Sequence, residues 1–142
     1  MNTPLGSPLR WVAGVMLLAT AGTHVPLIPD HLEEAPYVGV LFIALSVASV
    51  VLAVLLVRWD TPLVWAVSGA MTLLALVAFL ASRTVGLPQI GDDIGNWSEP
   101  LGYPAVAVEI LVSAAAAIVL ANRPCAVRTC WCRRSTAPSS SP

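Results

Sequence analysis

Residues 37–57 read YVGVLFIALSVASVVLAVLLV, an apolar run without one charged side chain. Arg58-Trp59-Asp60-Thr61-Pro62 follows at once, and a second apolar run then extends to residue 81. A helix needs about 20 mostly apolar residues to cross a hydrocarbon layer about 30 Å thick, and the first run alone meets that length. Working outward, residues 11–28 and 101–121 supply two more such runs. The pattern predicts an all-α fold, a four-helix transmembrane bundle with spans at 11–28, 37–57, 62–81 and 101–121. Short loops and small tails leave one membrane domain, 1–124, followed by a tail, 125–142.

Composition supports a lipid solvent. Of the 142 residues 57% are hydrophobic and 11% charged, with a mean hydropathy of +0.81. A soluble domain is about half apolar and about a quarter charged. The charges also carry orientation. Lysine is absent, and Arg10, Arg58, Arg123, Arg128, Arg133 and Arg134 lie on the side that holds both termini and the middle loop, whereas only Arg83 lies opposite. Positive flanks stay cytoplasmic, so both termini are expected inside a multi-pass protein of the plasma membrane. Trp11, Trp59 and Trp65 then mark the inner interface, and Tyr37, Trp97 and Tyr103 the outer one. A competing reading takes Arg10, the apolar run and Ala19-Thr20-Ala21 as a cleaved secretory signal. Against it, the run continues to Ile28, a spanning length.

Local signals place the helix ends. Asp30-His31-Leu32-Glu33 resembles a capping box, which predicts a short turn before the second span. Pro26 and Pro29 are expected to break the helical register between His24 and His31. Pro36 suits a first helical turn, and Thr61-Pro62 combines a capping hydroxyl with proline at the first helical position. The fourth span is expected to start near Pro104 and to stop at Asn122-Arg123-Pro124.

Each span carries a small or polar stripe at helical spacing: Ala13, Leu17, Thr20 and His24; Ser46, Ser49 and Ala53; Ser68, Thr72 and Ala75; Ala105, Glu109, Ser113 and Ala117. Small residues let helices approach in lipid and hydroxyls bond across the contact, so these faces are expected inward. Glu109 differs, as the only acid within a span. A lone carboxylate there costs on the order of 3 kcal/mol on insertion scales, so it requires a partner. His24 lies at comparable depth, with His31 and Glu34 just beyond it.

His24, His31, Glu34 and Glu109 can therefore converge at the outer mouth of the bundle. Two imidazoles with one or two carboxylates form a competent first shell for a transition metal, and haem ligation is open on the same grounds. A hydrogen-bonded structural pair of His24 with Glu109 explains the same residues, as does a proton pathway through Glu109. A second cluster, Cys125, Cys130 and Cys132, lies beside Arg128, Arg133 and Arg134. Its C-x4-C-x-C spacing matches no standard zinc site. A disordered basic tail against anionic lipid is the main expectation, and thiol chemistry or soft-metal binding the alternative. The outer loop, residues 82–100, is rich in Gly, Pro and Asp. Arg83 can pair there with Asp92, Asp93 or Glu99, but exposed pairs contribute only about 0–1 kcal/mol. A solvated acidic loop is thus expected.

No phosphate loop, nucleophile–base pairing, HExxH or aromatic-interleaved basic patch is present, which argues against a familiar enzyme and against a nucleic-acid partner. Gly22-Thr23-His24, His31-Leu32-Glu33-Glu34-Ala35-Pro36, Gly39-Val40-Leu41-Phe42 and Ser82-Arg83-Thr84-Val85-Gly86-Leu87-Pro88 resemble a group of small four-helix integral membrane proteins from high-GC Gram-positive bacteria. The resemblance covers about residues 10–121 and implies a fold and a plasma-membrane address but no reaction. The leading expectation is a non-enzymatic membrane or accessory component, with the bilayer, a membrane protein or a second copy as partner. A metal- or haem-binding protein and a small proton-coupled carrier are the alternatives.

Overall fold

The computed structural model of the chain describes residues 5–122. Its helices are α1 (Leu9–His24), α2 (Ile28–Glu34), α3 (Pro36–Trp59), α4 (Pro62–Thr84) and α5 (Gly102–Ala121). A 3-10 turn, Val25–Leu27, joins α1 to α2, so that Leu9–Glu34 runs as one 26-residue helical stretch. Four helical stretches, this one together with α3, α4 and α5, are long and apolar enough to cross a membrane. At about 1.5 Å per residue, the 24 residues of α3 extend roughly 36 Å.

The α3–α4 turn follows the sequence reading closely. Asp60 takes the left-handed conformation at φ 40°, which ends α3, and its backbone N–H donates to Leu56 O. Thr61 is extended, and its hydroxyl accepts from the N–H of Val64 at 3.5 Å, while Pro62 occupies the first helical turn. The cap satisfies one orphan donor, and proline has no N–H to satisfy.

Elsewhere the boundaries differ from expectation. The Asp30–Glu33 capping pattern is not used, because α2 already begins at Ile28 with Leu27 as its cap residue. The 3-10 turn feeds α2 directly, and Pro26 and Pro29 sit in the first turns of their segments, where no helical donor is lost. Likewise α5 starts at Gly102, with Pro104 inside its first turn.

One end of the bundle holds the Asp60–Thr61 turn, and the other the loop between α4 and α5. The apolar core fills the turn half: Ala13 and Leu17 from α1, Leu52, Ala53 and Leu56 from α3, Trp65 from α4, and Val112 and Ala116 from α5. Trp65 is fully buried there, so it is a core residue rather than an interfacial marker, whereas Trp11 and Trp59 are each 58% exposed. The α1 stripe, Ala13 to His24, is buried as expected. On α5 the buried line is Ala105, Glu109, Val112 and Ala116, while Ala117 faces outward. A 3.6-residue turn drifts off a strict four-residue stripe, and it is Ala116 that meets α4.

Helix α1 packs against α3 and α5, and α5 against α4, whereas α3 and α4 touch only lightly despite being joined by the short Asp60–Thr61 turn. The α4–α5 approach is close because Gly69 has no side chain: a Cβ there would lie 2.7 Å from Cβ of Ala116. One turn further on, the hydroxyls of Thr72 and Ser113 hydrogen-bond across the contact at 2.8 Å. Ser49 and Ser68, also expected to bridge helices, have no hydrogen-bond partner for their hydroxyls among the described residues.

Candidate functional site

The loop half of the bundle is built differently from the turn half. His24 closes α1, and its Nδ1 lies 2.8 Å from the carbonyl oxygen of Thr20. A carbonyl only accepts, so Nδ1 carries the hydrogen, and in the neutral imidazole Nε2 is left with a lone pair. His31 repeats the arrangement one element later, Nδ1 to the carbonyl of Leu27 at 2.9 Å. The two rings flank Phe42 of α3, with centroids 5.0 Å and 4.8 Å from its own. The prolines between the histidines therefore do not break the register. Seven residues amount to about two helical turns, and the 3-10 turn preserves that spacing.

Glu109 enters from α5, 2% exposed, with Oε1 3.6 Å from Nε2 of His24. This contact is too long for a hydrogen bond, so the two groups face each other without closing on one another. Glu34 is not drawn in. It ends α2 on the outside of the bundle, because Leu32 seats α2 on the bare backbone of Gly39, where a Cβ would lie 2.6 Å from Leu32 Cγ. The expected shell of His24, His31, Glu34 and Glu109 is thus split into a facing pair, a ring tilted at 56° against Phe42 and an exposed carboxylate. Among the described residues no group of three or more His, Cys, Asp or Glu is placed to hold a metal ion. Cys125, Cys130 and Cys132 lie outside the described residues.

The loop between α4 and α5 overturns the expectation of a solvated acidic segment. Arg83 is buried, 4% exposed, and binds Asp93 with Nη1–Oδ1 at 2.7 Å and Glu99 through Nη2. Its guanidinium also lies over the ring of Phe79, 5.1 Å from the centroid. The carbonyl of Arg83 accepts from the N–H of Gly95 at 2.9 Å. Ile90 is buried against Ala35 and Val38, and the hydroxyl of Tyr37 donates to the carbonyl of Pro88 at 2.6 Å. Apolar anchoring and a buried cation together fold the segment down over the bundle. Asp92 alone of the three candidate acids stays exposed.

Beneath that roof lies a cavity of about 540 Å³ between α3 and α4. Leu41, Phe42 and Leu45 form one wall, and Met71, Leu74 and Ala78 the other. His24 and Glu109 contribute polar groups to the interior, and Arg83, Asp93 and Glu99 line the roof. Leu41 and Leu74 are 60% and 70% exposed on the outer face of the bundle, so the cavity opens sideways between the two lightly touching helices. Such a space is within the range of small-molecule sites, mostly apolar with a few placed polar groups.

Sequence reasoning missed two elements of this construction. Phe42 reads as one more apolar residue of its span, and nothing in spacing marks it as the ring between two imidazoles. Asp60, by contrast, carries a legible signal: it is the one acid on the arginine-rich side. It is fully buried and accepts from Trp65 Nε1 and from the N–H of Ser7, each at 2.7 Å, with Arg10 3.9 Å away. This cluster ties the segment before α1 to the α3–α4 turn and secures the end opposite the cavity. Comparison with protein-family models, curated proteins and solved structures yields no match.

Proposed function

We propose that the chain is a non-enzymatic, multi-pass protein of the plasma membrane that works by holding a small, largely apolar molecule in the cavity between α3 and α4. The four long apolar helices support crossing the bilayer four times. Arg10 and Arg58 beside the turn end, with the arginines of the tail, support a cytoplasmic turn end and cytoplasmic termini. The single opposing arginine, Arg83, is held in ion pairs within the fold. In this orientation the cavity belongs to the outer leaflet, and the gap at Leu41 and Leu74 faces acyl chains. The address agrees with that of the small four-helix proteins the sequence resembles.

One observation carries the reading. His24 and Glu109 are both more than nine-tenths buried and line a cavity, yet they stand 3.6 Å apart without a hydrogen bond between them. Buried polar groups are normally satisfied, and a bound molecule supplies what the protein does not. Native mass spectrometry of the chain released from membranes tests this. A reproducible adduct that disappears in Ala75→Phe, which fills the cavity, is expected. A bare chain in both forms contradicts the proposal.

A proton-coupled carrier remains a second reading, favoured by the Thr72–Ser113 hydrogen bond one turn from Glu109 on the same face of α5. Its test is a pH-gradient assay in proteoliposomes. Unchanged transport in Glu109→Gln ends that reading.

A further inference from the structure

We propose that the occupant of the cavity is a lipophilic organic cation: a quaternary ammonium or phosphonium, or a protonated amine, carrying apolar substituents. The inference rests on reading the cavity as a ligand chamber and names the chemistry of its guest.

Three observations converge on a cation. The first is charge. Asp93, Glu99 and Glu109 place three carboxyl groups on the lining against the single guanidinium of Arg83. Arg83 is already matched by Asp93 and Glu99, which leaves Glu109 unmatched on the protein side. The second is hydrogen-bonding character. With Nδ1 committed to Thr20, neutral His24 presents an acceptor at Nε2, directly beside the carboxyl of Glu109. With Glu109 ionised the two are facing acceptors, and a donor or a positive charge between or beside them satisfies both. The third is the wall, which is apolar and aromatic: Phe42 and Phe79 both line it, and aromatic rings attract cations as well as apolar groups.

Other classes of guest fit less well. An anion would meet Glu109 and find the charge of Arg83 already balanced by Asp93 and Glu99. A neutral acyl chain would fill the walls but leave the polar pair buried without a partner, a costly arrangement in a low-dielectric interior. A bare metal ion lacks a sufficient ligand set among the described residues. A lipophilic cation satisfies the wall and the pair together, and the lateral gap between α3 and α4 gives it entry from the acyl layer, where such cations partition.

The test uses the full chain purified in detergent and three probes of related size: tetraphenylphosphonium, tetraphenylborate and neutral triphenylphosphine oxide. Equilibrium dialysis, corrected for empty micelles, should show saturable binding of one tetraphenylphosphonium per chain, with the borate and the oxide far weaker. Glu109→Gln should weaken the phosphonium by about thirtyfold or more, the loss that follows removal of one partner from a buried charge pair. Ala75→Phe keeps Glu109 but fills the space, and should abolish binding. Gel filtration and circular dichroism establish that both variants remain folded. If triphenylphosphine oxide binds as tightly as the phosphonium, or folded Glu109→Gln binds it unchanged, the cation inference is overturned while the ligand chamber stands. Unchanged phosphonium binding in Ala75→Phe overturns it too, since the cation would then lie elsewhere. Absence of saturable binding by all three probes overturns the inference together with the chamber.

Discussion

The indole of Trp65 donates through Nε1 to Oδ1 of Asp60 at 2.7 Å, and both residues are fully buried. The same carboxylate accepts from the N–H of Ser7 through Oδ2, also at 2.7 Å, and the backbone of Asp60 is left-handed. One side chain thus satisfies two donors at a turn whose conformation few residues tolerate. Asp60→Ala strands both donors, at about 1–3 kcal/mol each, and adds strain at φ 40°. Asp60→Asn keeps an acceptor and tolerates the conformation, so its loss should be less than half as large. Unfolding of both variants in the same detergent gives the comparison. Equal losses would show that hydrogen bonding at this turn is not what stabilises it.

Arg83 governs the roof. Because its guanidinium is buried and shared by Asp93 and Glu99, Arg83→Met should release the segment between α4 and α5. Hydrogen exchange is the direct measurement: the amide of Gly95, bonded to Arg83 O, should exchange at least about tenfold faster, the consequence of losing about 1.4 kcal/mol of local stability. Asp93→Asn and Glu99→Gln should each do less than the double variant, with a combined effect that departs from their sum, since they share one partner. Unchanged exchange at Gly95 in Arg83→Met would contradict a roof held by this cation.

Gly69 sets the distance between α4 and α5. Gly69→Leu introduces a side chain where even a Cβ lies 2.7 Å from Ala116 Cβ, and overpacking of this kind costs about 1–3 kcal/mol. It also separates Thr72 from Ser113, which share a 2.8 Å hydrogen bond. Ala116→Gly in the same chain should restore part of the loss. No recovery in that double variant, measured by thermal denaturation, would place the damage elsewhere.

The histidines are placed for Phe42 rather than for a shared metal. His24 and His31 both lie against that ring, and Glu34 is exposed at the end of α2. Metal content of the purified chain should therefore be the same in His24→Ala/His31→Ala as in the parent. A stoichiometric metal lost only in the double variant would contradict this geometry.

The helices were legible in the sequence because lipid-length apolar runs and Thr61-Pro62 act locally. Thr61 caps α4 as its neighbours suggest. The site was legible only in part. Glu109 and His24 stood out as polar groups within apolar runs, and they do face each other. The position of Glu34 was not readable, because it depends on Leu32 seating against Gly39, a tertiary contact with no local signature. The roof is not readable in the sequence for a related reason. Exposed ion pairs contribute little, and only the fold reveals that Arg83 is 4% exposed and that Ile90 anchors the loop among Ala35 and Val38. The cavity follows from α3 and α4 touching only lightly, a relation between helix axes that spacing along one chain does not encode.

The proposed orientation, with the cavity in the outer leaflet, rests on membrane topology. In a chain with Cys125, Cys130 and Cys132 replaced by serine, single cysteines at Ser98 in the roof and Trp59 at the turn end report the two faces. A membrane-impermeant maleimide applied to intact cells should label Ser98→Cys, and should label Trp59→Cys only after the membrane is permeabilised. Labelling of Trp59→Cys from outside, with Ser98→Cys protected, would contradict the account.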